Sequence, residues 1–333
     1  MIRLPVALFA VAAPALLCPS AFAHHSQAPY DLSQEVLIKG KLARLDWKNP
    51  HMYLIVDTTG ADGKSQMVQV EGLSIQQAQV DGLQREDLQV GKPVVVRANP
   101  NREPGKTVRG LDVTTADGVV HPIYAENKRP PTLTPAKSLA GNWAPSLATT
   151  NRMFREMAQW QYSVAGRAAQ AKGKPADGIC YVEPIPFQAI LNEVRAIEVS
   201  DKEVVFRFDN SGDIGVRVVH INAAHPANVK PSLFGHAIGK WEGDTLVIDT
   251  IGYAPDPSGL AANMPSSASK HTVERVKLAD DRLHLSYEST VEDPTYLDKP
   301  ASFTMLWDHR PDLKLSGPDE ACDAKVAHRF LEE

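Results

Sequence analysis

Two histidines, His24 and His25, stand directly after Ala21-Phe22-Ala23. That tripeptide has the small-x-small pattern a signal peptidase cuts. A cut after Ala23 makes His24 the first residue, so its α-amine and its own imidazole can chelate one metal ion. The amine titrates at roughly 7.7–8.0 when unperturbed, within reach of displacement by a metal near neutrality. A third nitrogen from His25 or His51 would complete a T-shaped set, and such nitrogen-rich tetragonal sites suit Cu(II). The plainer reading is a polar arm, with His51 packed beside Trp47.

A second set of candidates lies in the other half of the chain. His236, His271, Glu274 and Asp293 flank successive strands and could converge at a barrel mouth as a general acid/base set. Strict alternation puts His236, Ile238 and Lys240 on one face and Trp241 on the other. Trp143, His236 and Trp241 are the side chains best placed to touch a bound ligand. Glu242 and Asp244 read as solvent-facing residues of a hairpin turn. No G-x-S-x-G elbow, P-loop, dinucleotide fingerprint, H-E-x-x-H or cysteine zinc cluster is present.

The elements that would position these groups are mainly strands. Residues 1–23 read as a signal peptide, with Arg3 as its positive region and an apolar stretch, Leu4–Leu17, broken by Pro5 and Pro14. Leu17 before Cys18 argues against lipidation. Residues 24–124 show strands at 36–47, 52–58, 66–71, 93–98 and 108–115, with a short helix at 74–80 capped by Ser74. Five strands with a helix between the third and fourth are the order of a small OB-like Greek-key barrel. Gly40 would permit a bend in the first. Residues 125–138 are a proline-rich linker.

Residues 139–333 open on Gly141-Asn142-Trp143 and one helix, 151–171, whose Met153, Met157, Trp160 and Val164 recur at helical spacing. Strands follow at 196–200, 203–209, 214–222, 234–241, 244–251, 272–279, 282–291 and 302–309. Sequential tight turns join many of them, as expected for an antiparallel up-and-down barrel. Ala254–Lys270 is the longest interruption and the candidate lid.

Composition bounds the partners. The formal charge is −5, and −6 once the signal's arginine is gone, with no basic run. That argues against nucleic acid and anionic membranes. No later stretch approaches the roughly 18 apolar residues of a membrane helix. After signal removal two cysteines remain, Cys180 and Cys322. An even pair in an oxidising compartment favours a disulfide.

Four resemblances follow from these residues. The His24-His25-Ser26 start, with Trp47, Asn49, Pro50 and His51 as W-x-N-P-H, resembles a group of exported bacterial proteins without an assigned activity. That group places an aromatic soon after the Ser; here it is delayed to Tyr30. "GHAIGKWEGDTLVIDT" (235–250), with later "ERV" and "EDPTY", resembles a second such exported group. The G-x-W entry is similar to lipocalin-like (calycin) barrels, where the resemblance implies that Trp143 plugs one end. The N-terminal histidines are similar to the copper histidine brace of some exported oxidases and copper carriers.

Three functions compete. The first is an exported, periplasmic protein binding a small, partly apolar ligand in the C-terminal barrel. The second is a periplasmic copper protein using His24, His25 and His51. The third is a cofactor-independent lyase, isomerase or hydrolase at the barrel mouth. The first is the leading expectation.

Overall fold

The computed structural model describes residues 29–60, 62–124, 131–172 and 180–326. The first barrel is built from β1 (Val36–Asp46), β2 (Tyr53–Thr59), β3 (Ser65–Glu71), β4 (Pro93–Asn99), β5 (Val108–Thr114) and a short β6 (Val120–Pro122). Helix α1 (Ile75–Val80) lies between β3 and β4, and Ser74 caps it by accepting from the Gln77 N–H. β1 pairs with β2 and β4, β2 with β3, and β5 with β4 and, in parallel, with β3. That circuit closes the five-strand OB-like barrel. Gly40 is required by its neighbours: a Cβ there would stand 2.1 Å from the Asp57 carbonyl oxygen. Leu42, Leu54, Val56, Val70 and Val96 fill the interior.

The second barrel has nine strands: β7 (Gly141–Pro145), β8 (Arg195–Val199), β9 (Glu203–Asn210), β10 (Asp213–Ile221), β11 (His236–Glu242), β12 (Thr245–Ile251), β15 (His271–Leu278), β16 (His284–Glu292) and β17 (Ala301–His309). The G-N-W segment is itself a strand, β7, which closes the barrel between β17 and β8. The expected meander contained eight strands because β7 is short. The helical stretch is two helices, α2 (Leu147–Met157) and α3 (Val164–Lys172), and a further turn, α4 (Phe187–Ile190), follows. Ala254–Lys270 is not irregular. It carries a hairpin, β13 (Asp256–Ala261) and β14 (Met264–Ser266).

One pairing departs from simple up-and-down order. β10 and β11 run parallel, with Val219 opposite Ala237. A parallel neighbour needs a crossover of a dozen or more residues. Residues 222–235 supply it. Two prolines, Pro226 and Pro231, and Gly235, at φ +64°, shape the crossover and its return.

Side chains fill the barrel interior. Trp143 and Trp307 are fully buried. Tyr287 stacks on Trp307 at 4.6 Å, and the Arg195 guanidinium lies 4.4 Å over the same indole. Arg217 forms a two-pronged ion pair with Glu274, one contact being Nη1 to Oε1 at 2.9 Å. It also donates to Thr250 Oγ1 at 2.8 Å, and Tyr287 donates its hydroxyl to Glu274 at 2.7 Å. Such a pair survives burial because every charge has a partner.

The barrels meet through the end of the chain. Asn49 is fully buried. Its side chain donates to the Glu320 carbonyl at 2.6 Å and accepts from the Ile75 N–H at 3.0 Å. Its carbonyl accepts from the Asp323 N–H. Cys322, next to this contact, is disulfide-bonded to Cys180. Val80, Ala144, Val194 and Leu313 form a small apolar cluster between the two units. No helix among the described residues is long and apolar enough to cross a membrane.

Candidate functional site

The crossover over β10 and β11 makes the most reactive surface of the second barrel. On β11, Ala237 and Gly239 point into the core, so His236, Ile238 and Lys240 face out, as alternation requires. His220 on β10, Asp249 on β12 and His271 on β15 share that outer face. The crossover adds His225. A groove of about 270 Å³ runs beside them, lined by Val216, Val218, Leu233, Phe234, His220 and His236. Its size is close to the lower end of small-molecule sites. Phe234 is held from beneath by Phe208, ring centroids 6.0 Å apart.

The imidazoles are linked through one carboxylate. His225 Nε2 lies 2.8 Å from one Asp249 oxygen, and His271 Nε2 lies 3.0 Å from the other. His225 Nδ1 lies 2.9 Å from His236 Nδ1. The His236 ring packs 5.4 Å from that of His220, whose Nδ1 faces Glu203 at 3.2 Å. Burial raises the Asp249 carboxyl, but hydrogen bonds from His271 and His225 outweigh it and hold the group below its ordinary value. It is therefore an ionised acceptor, and both facing Nε2 atoms carry protons. Burial lowers His271, yet Asp249 and Glu292 outweigh burial and raise it. His236 is lowered by burial first, then by the neighbouring charge of His225 and His220.

The four proposed acid/base residues divide. His236 and His271 are outside the barrel, on this face. Glu274 is inside, paired with Arg217. Asp293 is buried at the barrel end, where it accepts from the Ser267 N–H at 2.6 Å and hydroxyl at 2.8 Å and so ties the hairpin connection to β16. Asp249 bridges His271 and His225, while Glu274 belongs to the interior. Of the tryptophans, Trp143 donates its indole N–H to the Leu139 carbonyl at 2.9 Å and is buried. Trp241 is 39% exposed beside the hairpin turn and does not line the groove.

Three residues near the β13–β14 hairpin had no sequence signal. Lys270 is buried, donates to the Ile185 and Gly259 carbonyls at 2.8 and 3.1 Å, and sits 4.1 Å over the Tyr253 ring. Burial pushes its ammonium down to about 7. Burial, then the charge of Asp256, pushes Glu183 up to about 8. Asp256 itself accepts from the Tyr181 hydroxyl. His225 was missed as well, for a different reason: it sits in a crossover that reads as a loop.

In the first barrel, His51 Nδ1 lies 3.0 Å from the Gly72 carbonyl and 3.2 Å from Glu71. A carbonyl only accepts, so Nδ1 carries a proton. Tyr30, the delayed aromatic, is buried and donates its hydroxyl to the same Glu71. Burial drives Glu71 up to about 7. His24 and His25 lie outside the described residues.

Among the described residues, the one trio of His, Cys, Asp or Glu ligand atoms within 4.8 Å of one another is Cys180, Asp213 and Cys322. Its two sulfurs are bonded to each other. A larger cleft, about 520 Å³, lies at the α2–α3 turn between Trp160, Tyr162, Arg167 and Asp298. Its two charges face each other at 3.9 Å, so it presents no convergent reactive set.

Comparison with known proteins adds a family for part of the chain. Residues 13–111 match the model of a family of unknown function, DUF6152. The match spans most of the first barrel and none of the second. No curated protein matches.

Proposed function

We propose that this is an exported protein that binds a small, partly apolar ligand on the second barrel, in the groove between the 222–235 crossover and β10–β11. The supporting observation is the groove itself: apolar walls from Val216, Val218, Leu233 and Phe234, with two imidazoles, His220 and His236, at one side. Apolar side chains beside fixed polar groups, Ser232 among them, can orient a small, partly apolar molecule. The barrel lumen is a poorer candidate, because Trp143, Trp307, Phe206, Phe303 and the Arg217–Glu274 pair occupy it. The test uses the fluorescent amphiphile 1-anilinonaphthalene-8-sulfonate on the folded protein. Val218→Trp fills the groove from its outer strand and should abolish saturable binding. Undiminished binding by that variant would refute the groove.

A second reading, copper held by the mature N-terminus, is favoured by one observation. Tyr30 and His51 meet on Glu71, which brings Tyr30, six residues after His24 in sequence, to the candidate third ligand. His51 also donates Nδ1–H to oxygen acceptors, the orientation usual for histidines that bind metal through Nε2. Cu(II) titration of the mature protein against a copy with one extra Gly before His24 tests it. Equal affinity in the two would sink the brace.

A further inference from the structure

The closest contact between rings of the outer histidine array joins two nitrogens. His225 Nδ1 and His236 Nδ1 are 2.9 Å apart, so one proton must lie between them. The rest of the network says which ring supplies it. His225 carries its proton on Nε2, directed at the ionised Asp249. In the neutral ring its Nδ1 is therefore the lone pair, and His236 Nδ1–H is the donor.

A carboxylate that accepts from the far nitrogen of an imidazole fixes the tautomer and makes the near nitrogen a better ligand. Asp249, His225 and the space in front of His225 Nδ1 form that carboxylate–histidine arrangement. Two imidazole nitrogens separated by a shared proton need only a small opening to hold a metal, since each metal–nitrogen bond is about 2.0–2.1 Å. His220 is the adjacent third ring. Its side chain is 41% exposed, so turning it toward His236 costs one exposed contact with Glu203.

We propose that His225 and His236 bind a divalent transition-metal ion through their Nδ1 atoms, with His220 as third ligand and a fourth position open to the groove. The His236 proton passes to its own Nε2 by exchange with solvent, so two neutral rings bind the ion without net proton release. Three protein nitrogens and one open position are the pattern of sites where a metal takes an exogenous ligand. Zn(II) and Cu(II) both suit imidazole. Ion binding stands apart from the apolar-ligand reading; only the open fourth position rests on the groove. A groove ligand would then be a small apolar molecule with one group that coordinates metal.

The experiment uses Co(II) alone, added to the full mature chain and followed by visible absorption. One equivalent with the intense bands of four-coordinate Co(II), displaced by Zn(II), is expected. His225→Gln and His236→Gln should each remove the bands, Asp249→Asn should weaken binding about 10–100-fold, and His51→Gln should change nothing. Nitrogen-15 imidazole spectra of the unmutated protein with Zn(II) give an independent reading, because His225 and His236 Nδ1 should shift as ligands. Failure to bind Co(II), or bands that survive His236→Gln, or bands lost in His51→Gln alone, would each overturn the site. None of those outcomes bears on anilinonaphthalene binding, which the Val218→Trp variant tests separately.

Discussion

Asp249 organises the outer face of the second barrel more than any single histidine does. It accepts from His225 and His271 at once, and it sets the tautomer of the first and the charge of the second. The consequence for pH follows from sign. His271 is raised in the folded state, so its contribution to stability is complete below its unfolded value of about 6.5 and fades as pH rises through the folded value. The urea midpoint of the native protein should therefore exceed that of His271→Gln most at about pH 5.5–6. The gap should narrow above neutrality. A gap that widened with rising pH would show that the pairing is not what sets the titration. The lowered His236 works in the opposite direction, its contribution being lost as pH falls, which is why the variant difference and not the overall profile is the measurement.

At the level of elements, the decisive feature is the parallel step from β10 to β11. It sends 222–235 over the outside of the barrel and creates the groove. Inside, β10 and β15 are joined by Arg217 and Glu274. Arg217→Met would leave Glu274 in the interior without its counter-charge, with only the Tyr287 hydroxyl donating to it. The expected loss is about 3–5 kcal/mol, read by urea unfolding, and Arg217→Met with Glu274→Leu should recover much of it. No loss in the single variant would mean that Glu274 takes up a proton at little cost. The sequence made some of this legible and hid the rest. Period-two patterning located the strands of both barrels except the short β7 and β6, and Ser74 marked its helix correctly. Alternation put His236 and Lys240 on a common face and Trp241 on the other. It cannot report strand direction, so a crossover with Pro226 and Pro231 looks like any polar loop, and His225 stayed unseen. Nor can it say which inward residues meet across the barrel, as Arg217 and Glu274 do; the three-residue spacing of His271 and Glu274 does put them on opposite faces of the sheet, so they were never one set.

For the whole molecule, the W-x-N-P-H segment acquires a structural role that its histidine had obscured. Asn49 joins the first barrel to the segment that follows the second, and the disulfide fastens that segment to Cys180. Closing a loop of this length contributes about 4–5 kcal/mol in the chain-entropy model, and the bond lies beside the Asn49 contact. The clasp also imposes an order in time. Asn49 and Glu320 are 271 residues apart. At about 5–20 residues per second of synthesis, roughly 14–54 s pass before the partner of Asn49 exists. Until then the Asn49 side-chain amide lacks the Glu320 carbonyl it donates to. The second barrel closes only once β17 has been made and can pair with β7. The seam between the barrels is thus a checkpoint on synthesis, closed only on chains that have been made past Glu320.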